Sequence, residues 1–288
     1  MTTDFTDDLQ CEPAEVIAGF ERRARRFESP CGDGALVWRA WGRGPPVMLA
    51  HGSHGAWSHW IRNIDALANA RTVWVPDLPG YGESALAERE DQAAIADALA
   101  LGLRQLIGEP PLDVVGFSFG ATACAYLAAR HPDLVRRLIL IGAGGLGTPV
   151  GDIQLQRVRG LEGEARVAAL RANLLGLMLH HPDSVDDLAL HLQVSNGLQA
   201  RLNPAPLVLP DRLLAALPEV RAQIDAIWGA HDRPHPASAS QEPVLRQFDP
   251  DLEFRVIPGA GHWAMYERPA EFNRVLIELL DTPLRAAA

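Results

Sequence analysis

The pentapeptide Gly116-Phe-Ser-Phe-Gly120 is the first place in this sequence where residue types and spacing could do chemistry. An apolar run over residues 112–115 precedes it and a small-residue segment follows it, which predicts a strand, a tight turn and a helix. Such a turn would present the hydroxyl of Ser118 at its apex, and the two glycines would let the backbone pass close to itself. Ser118 is therefore a candidate nucleophile, and because a free hydroxyl attacks poorly, it requires a base.

The base and its partner are predicted from two residues that each follow a strand-like segment. His262 lies in a Gly-rich loop after residues 252–257, and Asp232 follows residues 222–228. A histidine in this position would take the proton of Ser118 and return a proton to the leaving group. A carboxylate on the other ring nitrogen would fix the tautomer of the histidine and stabilise its cation. We expect Ser118, His262 and Asp232 to form a catalytic triad for acyl transfer.

Three other residues compete for these roles. Asp225 lies inside a predicted strand rather than after its end, so Asp232 is preferred as the acid. His231 and His235 share the loop of Asp232, whereas His262 follows the last predicted strand. Ligands of open parallel sheets bind outside the carboxyl ends of the strands, which favours residues that follow strand ends.

An oxyanion formed during acyl transfer would need N–H donors that are already in place. The backbone N–H groups of Phe119, directly after the nucleophile, and of Ser53, in the loop after residues 46–50, are the candidates. His51 in the same loop is interpreted as structural. The segment 77–84 is rich in turn-forming residues and is interpreted as a framework loop.

A substrate pocket is predicted from apolar and aromatic residues beside the candidate catalytic groups and from a leucine-rich segment, residues 174–179. The predicted pocket residues are His54, Phe117, Trp263, Leu175 and Met178. The alternative for the leucine-rich segment is that it packs one part of the protein onto the core, and both roles remain open.

The elements that must position these residues alternate along the chain. Strand-like segments are found at 24–28, 35–41, 46–50, 71–76, 112–115, 135–141, 222–228 and 252–257. Helical patterns are found at 57–70, 92–107 and 269–280, and after Ser118. This alternation predicts an α/β fold with a mostly parallel, eight-stranded sheet flanked by helices.

Residues 146–217 interrupt the alternation, since they contain no convincing strand pattern. Helices are predicted at 163–180 and 184–202, the second with Ser184 as its N-cap. We expect a helical cap (lid) over 146–217, inserted into a core built from residues 1–145 and 218–288.

Composition limits the partners. The chain has 288 residues, of which 48% are hydrophobic, and a net charge of −10, so a basic face for nucleic acid or anionic lipid is not indicated. Three cysteines without paired spacing indicate reduced thiols and a cytoplasmic location. Residues 1–10 do not resemble a signal peptide, and we find no apolar stretch of the roughly 18 residues that span a bilayer. The expected partner is a small-molecule substrate, with no nucleic acid and no membrane, and a homodimer is possible.

No metal or cofactor is expected. The pairs His180-His181 and His231/His235 lack a completing set of Cys or carboxylate ligands at a recognisable spacing. The glycine-rich segment 142–147 faintly matches a dinucleotide-binding fingerprint, but it comes late in the sheet and no suitable helix follows it.

Taken together, these motifs resemble the α/β-hydrolase family. The resemblance covers nearly the whole chain and rests on His51-Gly52, Asp77-x-Pro-Gly-x-Gly-x-Ser84, Gly116-x-Ser-x-Gly120, Gly229-x-x-Asp232 and Gly261-His262, in the order serine, acid, histidine. It implies the α/β-hydrolase fold, a hydrolytic triad of Ser118, Asp232 and His262, no cofactor, and a helical cap. The serine nucleophile also distinguishes this chain from the dehalogenase and epoxide hydrolase branches, which use an aspartate.

Within the family, His262-Trp263 and the later segment Glu271-Phe-Asn-Arg-Val resemble the meta-cleavage-product hydrolases, which break C–C bonds in ring-fission products of aromatic compounds. Two features depart from that group. Its members usually have Asn just before the nucleophile, where this chain has Phe117. They also use a cap arginine to hold the substrate carboxylate, and spacing does not decide whether Arg171 or Arg201 could do so here.

Three functions follow from the sequence. The first is hydrolysis of a carboxylic ester, or a similar acyl bond, of a small and partly apolar substrate. The second is C–C bond hydrolysis of vinylogous diketo acids. The third, of another class, is a small-molecule-binding regulatory protein that hydrolyses slowly.

Overall fold

The computed structural model describes residues 12–108, 111–236 and 238–285. The prediction that the chain begins without a signal peptide concerns residues 1–10, which lie outside the described residues. In the part of the chain that is described, no helix is both long and apolar enough to cross a membrane.

Within the described residues a single sheet runs through the protein. Its strands are β1 Arg25–Cys31, β2 Gly34–Trp41, β3 Pro46–Ala50, β4 Thr72–Pro76, β5 Leu112–Phe117, β6 Val135–Ile141, β7 Gln223–Gly229 and β8 Phe254–Ile257. They are arranged in the order β1-β2-β4-β3-β5-β6-β7-β8. β2 is antiparallel to its neighbours β1 and β4, and the other neighbouring pairs are parallel. The prediction of a mostly parallel, eight-stranded sheet is confirmed.

Helices cover both faces of this sheet. They are α1 Pro13–Arg23, α2 Ile64–Ala68, α3 Gln92–Leu106, α4 Phe119–Arg130, α5 Gly163–Leu177, α6 Asp187–Leu198, α7 Ala205–Val208, α8 Arg212–Ala216, α9 Ser238–Leu245, α10 Ala264–Glu267 and α11 Pro269–Asp281. Side chains of α3, α4 and α8 form one apolar core, and side chains of α1, α2, α10 and α11 form the other. Because helices shield both faces, a central strand such as β5 is buried at every position.

Between β6 and β7 the chain contains only helices and loops, all of it within the described residues. We call residues 146–217 the inserted segment. It contains α5, α6, α7 and α8, in agreement with the lack of strand pattern in the sequence.

The predicted helix over residues 57–70 is wrong as a continuous element. A short 3₁₀ turn spans Trp57–Trp60, and α2 follows only after a break. Asn63, in the break, has φ −122°, and its side-chain amide donates to the carbonyl of Met265 at 2.9 Å and to the side-chain oxygen of Asn273 at 2.8 Å. These tertiary hydrogen bonds override the helical periodicity of the sequence.

The predicted N-cap Ser184 is also wrong, because Asp186 caps α6. Ser184 ends a 3₁₀ turn, whereas Oδ1 of Asp186 accepts the N–H of Ala189 at 2.8 Å. The same carboxylate binds the guanidinium of Arg62 and accepts the hydroxyl of Tyr266 at 2.5 Å. Asp186 therefore begins the helix and also fastens the inserted segment to the core.

We expect Asp186→Ala to lower the free energy of unfolding by about 2 kcal/mol, since it removes a helix cap and leaves the buried Tyr266 hydroxyl without its acceptor. Asp187→Ala is the matched control, because Asp187 is exposed in the first turn of α6. It should change the value by no more than about 0.5 kcal/mol. Urea unfolding followed by circular dichroism measures both, and equal losses would refute the assignment.

Candidate active site

Ser118 lies at the sharp turn between β5 and α4, as the sequence predicts. Its φ is +52°, in a region of backbone conformation that residues other than glycine rarely adopt. This conformation costs on the order of 1–3 kcal/mol. Its N–H donates to the carbonyl of Ile141 at 2.8 Å, which ties the turn to the neighbouring strand. Ser118 is partly exposed between buried neighbours, so its hydroxyl is accessible.

The flanking glycines of the turn leave no room for a side chain. A Cβ at Gly116 would lie 2.5 Å from Cα of Ala121, and one at Gly120 would lie 2.5 Å from the carbonyl oxygen of His51. Both distances are far below van der Waals contact. The first turn of α4 is thereby pressed against the end of β5 and against the loop after β3.

His262 and Asp232 are in direct contact. Nδ1 of His262 lies 2.7 Å from Oδ2 of Asp232, and both side chains are buried. The other carboxylate oxygen, Oδ1, accepts the N–H of His235 at 2.8 Å. With Nδ1 engaged by the carboxylate, Nε2 is the nitrogen of His262 that remains for a nucleophile.

Neighbouring residues bring this pair to the edge of the sheet where Ser118 lies. The ring of Phe117, adjacent to Ser118, is 4.9 Å from the ring of His262, centroid to centroid. A Cβ at Gly142, which follows β6, would lie 3.0 Å from Oδ2 of Asp232 and 3.1 Å from Nδ1 of His262. The structure thus gathers Ser118, Asp232 and His262, which are far apart in sequence, at the carboxyl ends of β5, β7 and β8.

Two of the three competing residues, Asp225 and His231, are engaged elsewhere, whereas His235 lies beside the pair and donates its N–H to Asp232. The carboxylate of Asp225 pairs with the guanidinium groups of Arg285, at 3.2 Å, and Arg137, at 3.6 Å. The ring of His231 is stacked on the ring of His180, with centroids 3.6 Å apart.

The loop after β3 lies beside the nucleophile. A Cβ at Gly52 would lie 3.3 Å from Cβ of Ser118. The N–H of Phe119, in the first turn of α4, has no acceptor within the helix, and the N–H of Ser53 takes part in none of the backbone hydrogen bonds of the described residues. These are the two N–H donors that the sequence predicts for binding an oxyanion.

His51 holds this loop in place, in line with its structural interpretation. Its Nδ1–H donates to the carbonyl of Gly52 at 2.8 Å, and its Nε2 accepts the N–H of Leu78 at 2.8 Å. Donating at one nitrogen and accepting at the other requires a neutral ring. Burial lowers the pKa of His51 and favours that neutral form.

The predicted pocket residues fall into two groups. Phe117 and Trp263 are each only 1% exposed, so they support the site from within the core. Leu175 and Met178 are partly buried against the same core, and His54 is exposed. Within the leucine-rich segment, Leu174 and Leu179 are buried core residues, so part of that segment packs the inserted segment onto the core.

His59 is a residue of the site that sequence reasoning missed. Its ring lies 4.9 Å from that of Trp263 and 5.8 Å from that of Phe117, and its carbonyl accepts the indole N–H of Trp263 at 3.0 Å. Burial, followed by the neighbouring histidines His51 and His262, lowers its pKa well below the ordinary value, so the ring is neutral near pH 7. The only signal in the sequence was a polar residue inside an aromatic segment.

Comparison with known proteins shows the family to which this chain belongs. A family model described as the α/β hydrolase fold matches residues 45–175. The 2-hydroxymuconate semialdehyde hydrolase of Pseudomonas putida is 30% identical over 83% of this chain and 88% of its own length. The chain belongs to the α/β-hydrolase family. Like the hydrolases that it matches, this α/β-hydrolase is a hydrolytic enzyme.

Solved structures agree on the fold of this α/β-hydrolase. A meta-cleavage product hydrolase of Pseudomonas fluorescens matches with a TM-score of 0.72 and 22% identity, over 88% of this chain and 97% of its own. A carboxylesterase of Bacillus subtilis matches with a TM-score of 0.74 and 17% identity, over 95% and 97%. The resemblance seen in the sequence, to C–C hydrolases and to esterases, is confirmed.

One histidine of the site makes stability depend on pH. Burial, and then the nearby His262, lowers the pKa of His235 to about 4. An unfolded histidine titrates near 6.5, so between these values the unfolded chain binds the proton that the native chain does not. Stability contributed above pH 6.5 is therefore lost as pH falls toward 4, by on the order of 3 kcal/mol.

We expect His235→Gln, which does not titrate, to flatten the fall in the free energy of unfolding between pH 6.5 and 4. Urea unfolding at a series of pH values measures the slope for both proteins. His181→Gln is the control, because the ring of His181 is exposed. Parallel slopes in the native protein and His235→Gln would contradict the prediction.

Proposed function

We propose that this α/β-hydrolase cleaves a carboxylic ester of a small, partly apolar substrate, with Ser118 as nucleophile, His262 as base and Asp232 as the acid that orients it. The observation that carries the proposal is the 2.7 Å contact between His262 and Asp232 beside the strained turn that exposes Ser118. Nε2 of His262 would accept the proton of Ser118 as its oxygen bonds to the ester carbonyl carbon.

The carbonyl oxygen would then carry a negative charge, held by the N–H groups of Ser53 and Phe119. As the tetrahedral intermediate collapses, the bond to the leaving alkoxide breaks and His262 gives that alkoxide its proton. A water molecule, deprotonated by His262, attacks the acyl-enzyme in the second half of the reaction. When the second tetrahedral intermediate collapses, the bond between the acyl carbon and Ser118 breaks, His262 returns its proton to the oxygen of Ser118, and the carboxylic acid is released.

The inserted segment supports the choice of a neutral ester. The guanidinium of Arg201 donates to the carbonyls of Gly82, at 3.2 Å, and Ser84, so it is committed to the framework loop. Arg171 is exposed on α5, on roughly the opposite side of the helix from the buried Ala169 and Asn173, whereas the third buried residue, Leu174, lies on the nearer side. We infer that neither arginine holds a substrate carboxylate. We also propose that the inserted segment acts as the cap of the site.

Hydrolysis of a C–C bond in a vinylogous diketo acid is the second candidate. It is favoured by sequence identity to hydrolases such as the 2-hydroxymuconate semialdehyde hydrolase and by the His262-Trp263 pair. Two observations weigh against it. Phe117 stands where a polar residue would be expected, and we infer that neither Arg171 nor Arg201 holds a substrate carboxylate.

Assay of two substrate classes separates these candidates. We expect the purified protein to turn over short p-nitrophenyl esters with a kcat/KM at least about tenfold above that for a 2-hydroxy-6-oxo-dienoate. Both are followed by absorbance, and Ser118→Ala gives the background rate. Rapid turnover of the dienoate with negligible ester hydrolysis would reverse the assignment.

The nucleophile is tested by a fluorophosphonate probe, which labels activated serines. We expect one label for each chain in the native protein, and none in Ser118→Ala. Mass spectrometry gives the stoichiometry, and Ser53→Ala is the matched control because it keeps the backbone N–H. An unlabelled native protein would favour the small-molecule-binding alternative.

The acid is tested by Asp232→Asn, which preserves shape and removes the charge beside His262. We expect kcat to fall by about 10⁴-fold with an unchanged melting temperature, because the histidine loses its tautomer and the stabilisation of its cation. Asp225→Asn makes the same chemical change inside β7, away from His262, and should retain kcat. Near-full activity in Asp232→Asn would show that another group is the acid.

A further inference from the structure

A buried carboxylate next to the site has no part in the chemistry described above. Glu267, at the end of α10, is 7% exposed. Its oxygens accept three backbone N–H groups: Gly261 at 2.7 Å, His181 at 2.7 Å, and His180 at 3.0 Å to each oxygen. We call this set of four residues the Glu267 clamp.

The clamp joins two parts of the protein that have different tasks. Gly261 immediately precedes His262 in the loop after β8, whereas His180 and His181 belong to the inserted segment. One carboxylate therefore holds both the loop of the candidate base and the stretch that follows α5 in the segment that would cover the substrate. The connection is direct, since no other side chain lies between the donors and the acceptor.

Main-chain contacts beside the clamp hold the same two segments together. The N–H of Trp263 donates to the carbonyl of Met178 at 2.8 Å. A Cβ at Gly261 would lie 2.9 Å from both the nitrogen of His180 and the carbonyl oxygen of Met178. The segment 178–181 is thus packed directly on the loop that carries His262, which is why α5 ends at Leu177 rather than at the predicted residue 180.

The buried carboxylate of Glu267 would lose stabilisation if any of its three N–H donors moved away. Within the described residues Glu267 forms no ion pair with a cation, so the three N–H groups are what compensate for burial of its charge. If the segment 178–181 lifts away, two of these donors leave and the carboxylate must find water or other partners. The hold on Gly261 would loosen with the same movement.

We propose that Glu267 is a positioning residue that sets His262 in its working place only when the inserted segment is seated. This inference rests on the proposed function of Ser118 and His262. It adds that movement of the segment away from the core releases His262, and that the return of the segment restores its position. Glu267 acts through the backbone of Gly261 and touches no reacting atom.

The first test is Glu267→Gln, with kcat expressed per active site titrated by the fluorophosphonate probe. The amide places an NH₂ group against backbone N–H donors and removes the charge that they stabilise. We expect kcat to fall by about 10²-fold while KM for the ester changes less than about threefold, because the loss lies in the alignment of the base. Titration of active sites removes any contribution from unfolded protein.

The second test removes one donor from the other side of the clamp. His181→Pro deletes the N–H that Glu267 accepts, and the φ of −95° at this position must shift by about 15° to reach the range of proline. His181→Ala is the matched comparison, because it removes the exposed ring, which accepts the N–H of Asp183, and keeps the backbone N–H that Glu267 accepts. We expect His181→Pro to lower kcat per site about tenfold relative to His181→Ala.

The double variant, Glu267→Gln with His181→Pro, completes the test. Because both changes break one connection, its kcat should resemble that of Glu267→Gln alone, whereas independent effects would multiply. Native kcat in Glu267→Gln, equal effects of His181→Pro and His181→Ala, or multiplied effects would overturn the proposal. If Glu267→Gln does not fold, the two His181 variants decide.

These outcomes are distinct from failure of the proposed function. Ester hydrolysis that persists in Ser118→Ala would remove the basis of the proposed function whatever the Glu267 variants show. Loss of activity in Ser118→Ala together with native kcat in Glu267→Gln would leave the triad standing and overturn the clamp alone.

Discussion

The close approach of β5 and α4 at Gly116 and Gly120 is the constraint on which the site depends. The helix can follow the strand so abruptly only because neither glycine carries a Cβ, and the residue between them is forced to a positive φ. That strain lifts Ser118 out of an otherwise buried segment. It also places the first N–H groups of α4 next to the loop after β3, where an oxyanion would form.

The parallel arrangement of β3, β5, β6, β7 and β8 brings the other residues of the site together. Parallel strands end at the same edge, so each loop that leaves this edge can contribute one group to a common site. Backbone hydrogen bonds continue past the strand ends: Ser118 binds Ile141 and His231 binds Ala260, so these loops have little freedom. The chemistry is carried by loops, but the sheet fixes their positions.

Five histidines lie close to one another around this edge: His51, His54, His59, His235 and His262. Burial lowers the pKa of His51, His59 and His235, and neighbouring histidines lower the pKa of His59 and His235 further, so these rings are neutral near pH 7. A neutral, largely apolar surround is suited to an uncharged acyl group and strengthens each hydrogen bond that faces the substrate. Glu267 and Asp186 fasten the inserted segment to the core: the buried carboxylate of Glu267 accepts backbone N–H groups, and the partly exposed carboxylate of Asp186 binds side-chain donors.

The strand segments, the turn at Ser118 and the residues that follow strand ends were predictable from the sequence, because each depends on local pattern. Alternation of apolar runs and helical periods fixes the type of an element, and glycines mark the places where chains approach. Asp232 and His262 could be selected over Asp225 and His231 by their order relative to strand ends, and the ion pairs of Asp225 show why that order matters.

Other features were decided only by tertiary structure. Asn63 interrupts a predicted helix because its amide bonds to a distant part of the chain, and Asp186 replaces Ser184 as a cap because it has partners in the core. His59 and Glu267 carry no local motif, since their neighbours in space come from other segments. Sequence by itself determined which residues follow each strand and so which chemistry is present. Tertiary structure decided which buried polar groups satisfy one another, because hydrogen bonds and burial depend on distances that no local pattern encodes.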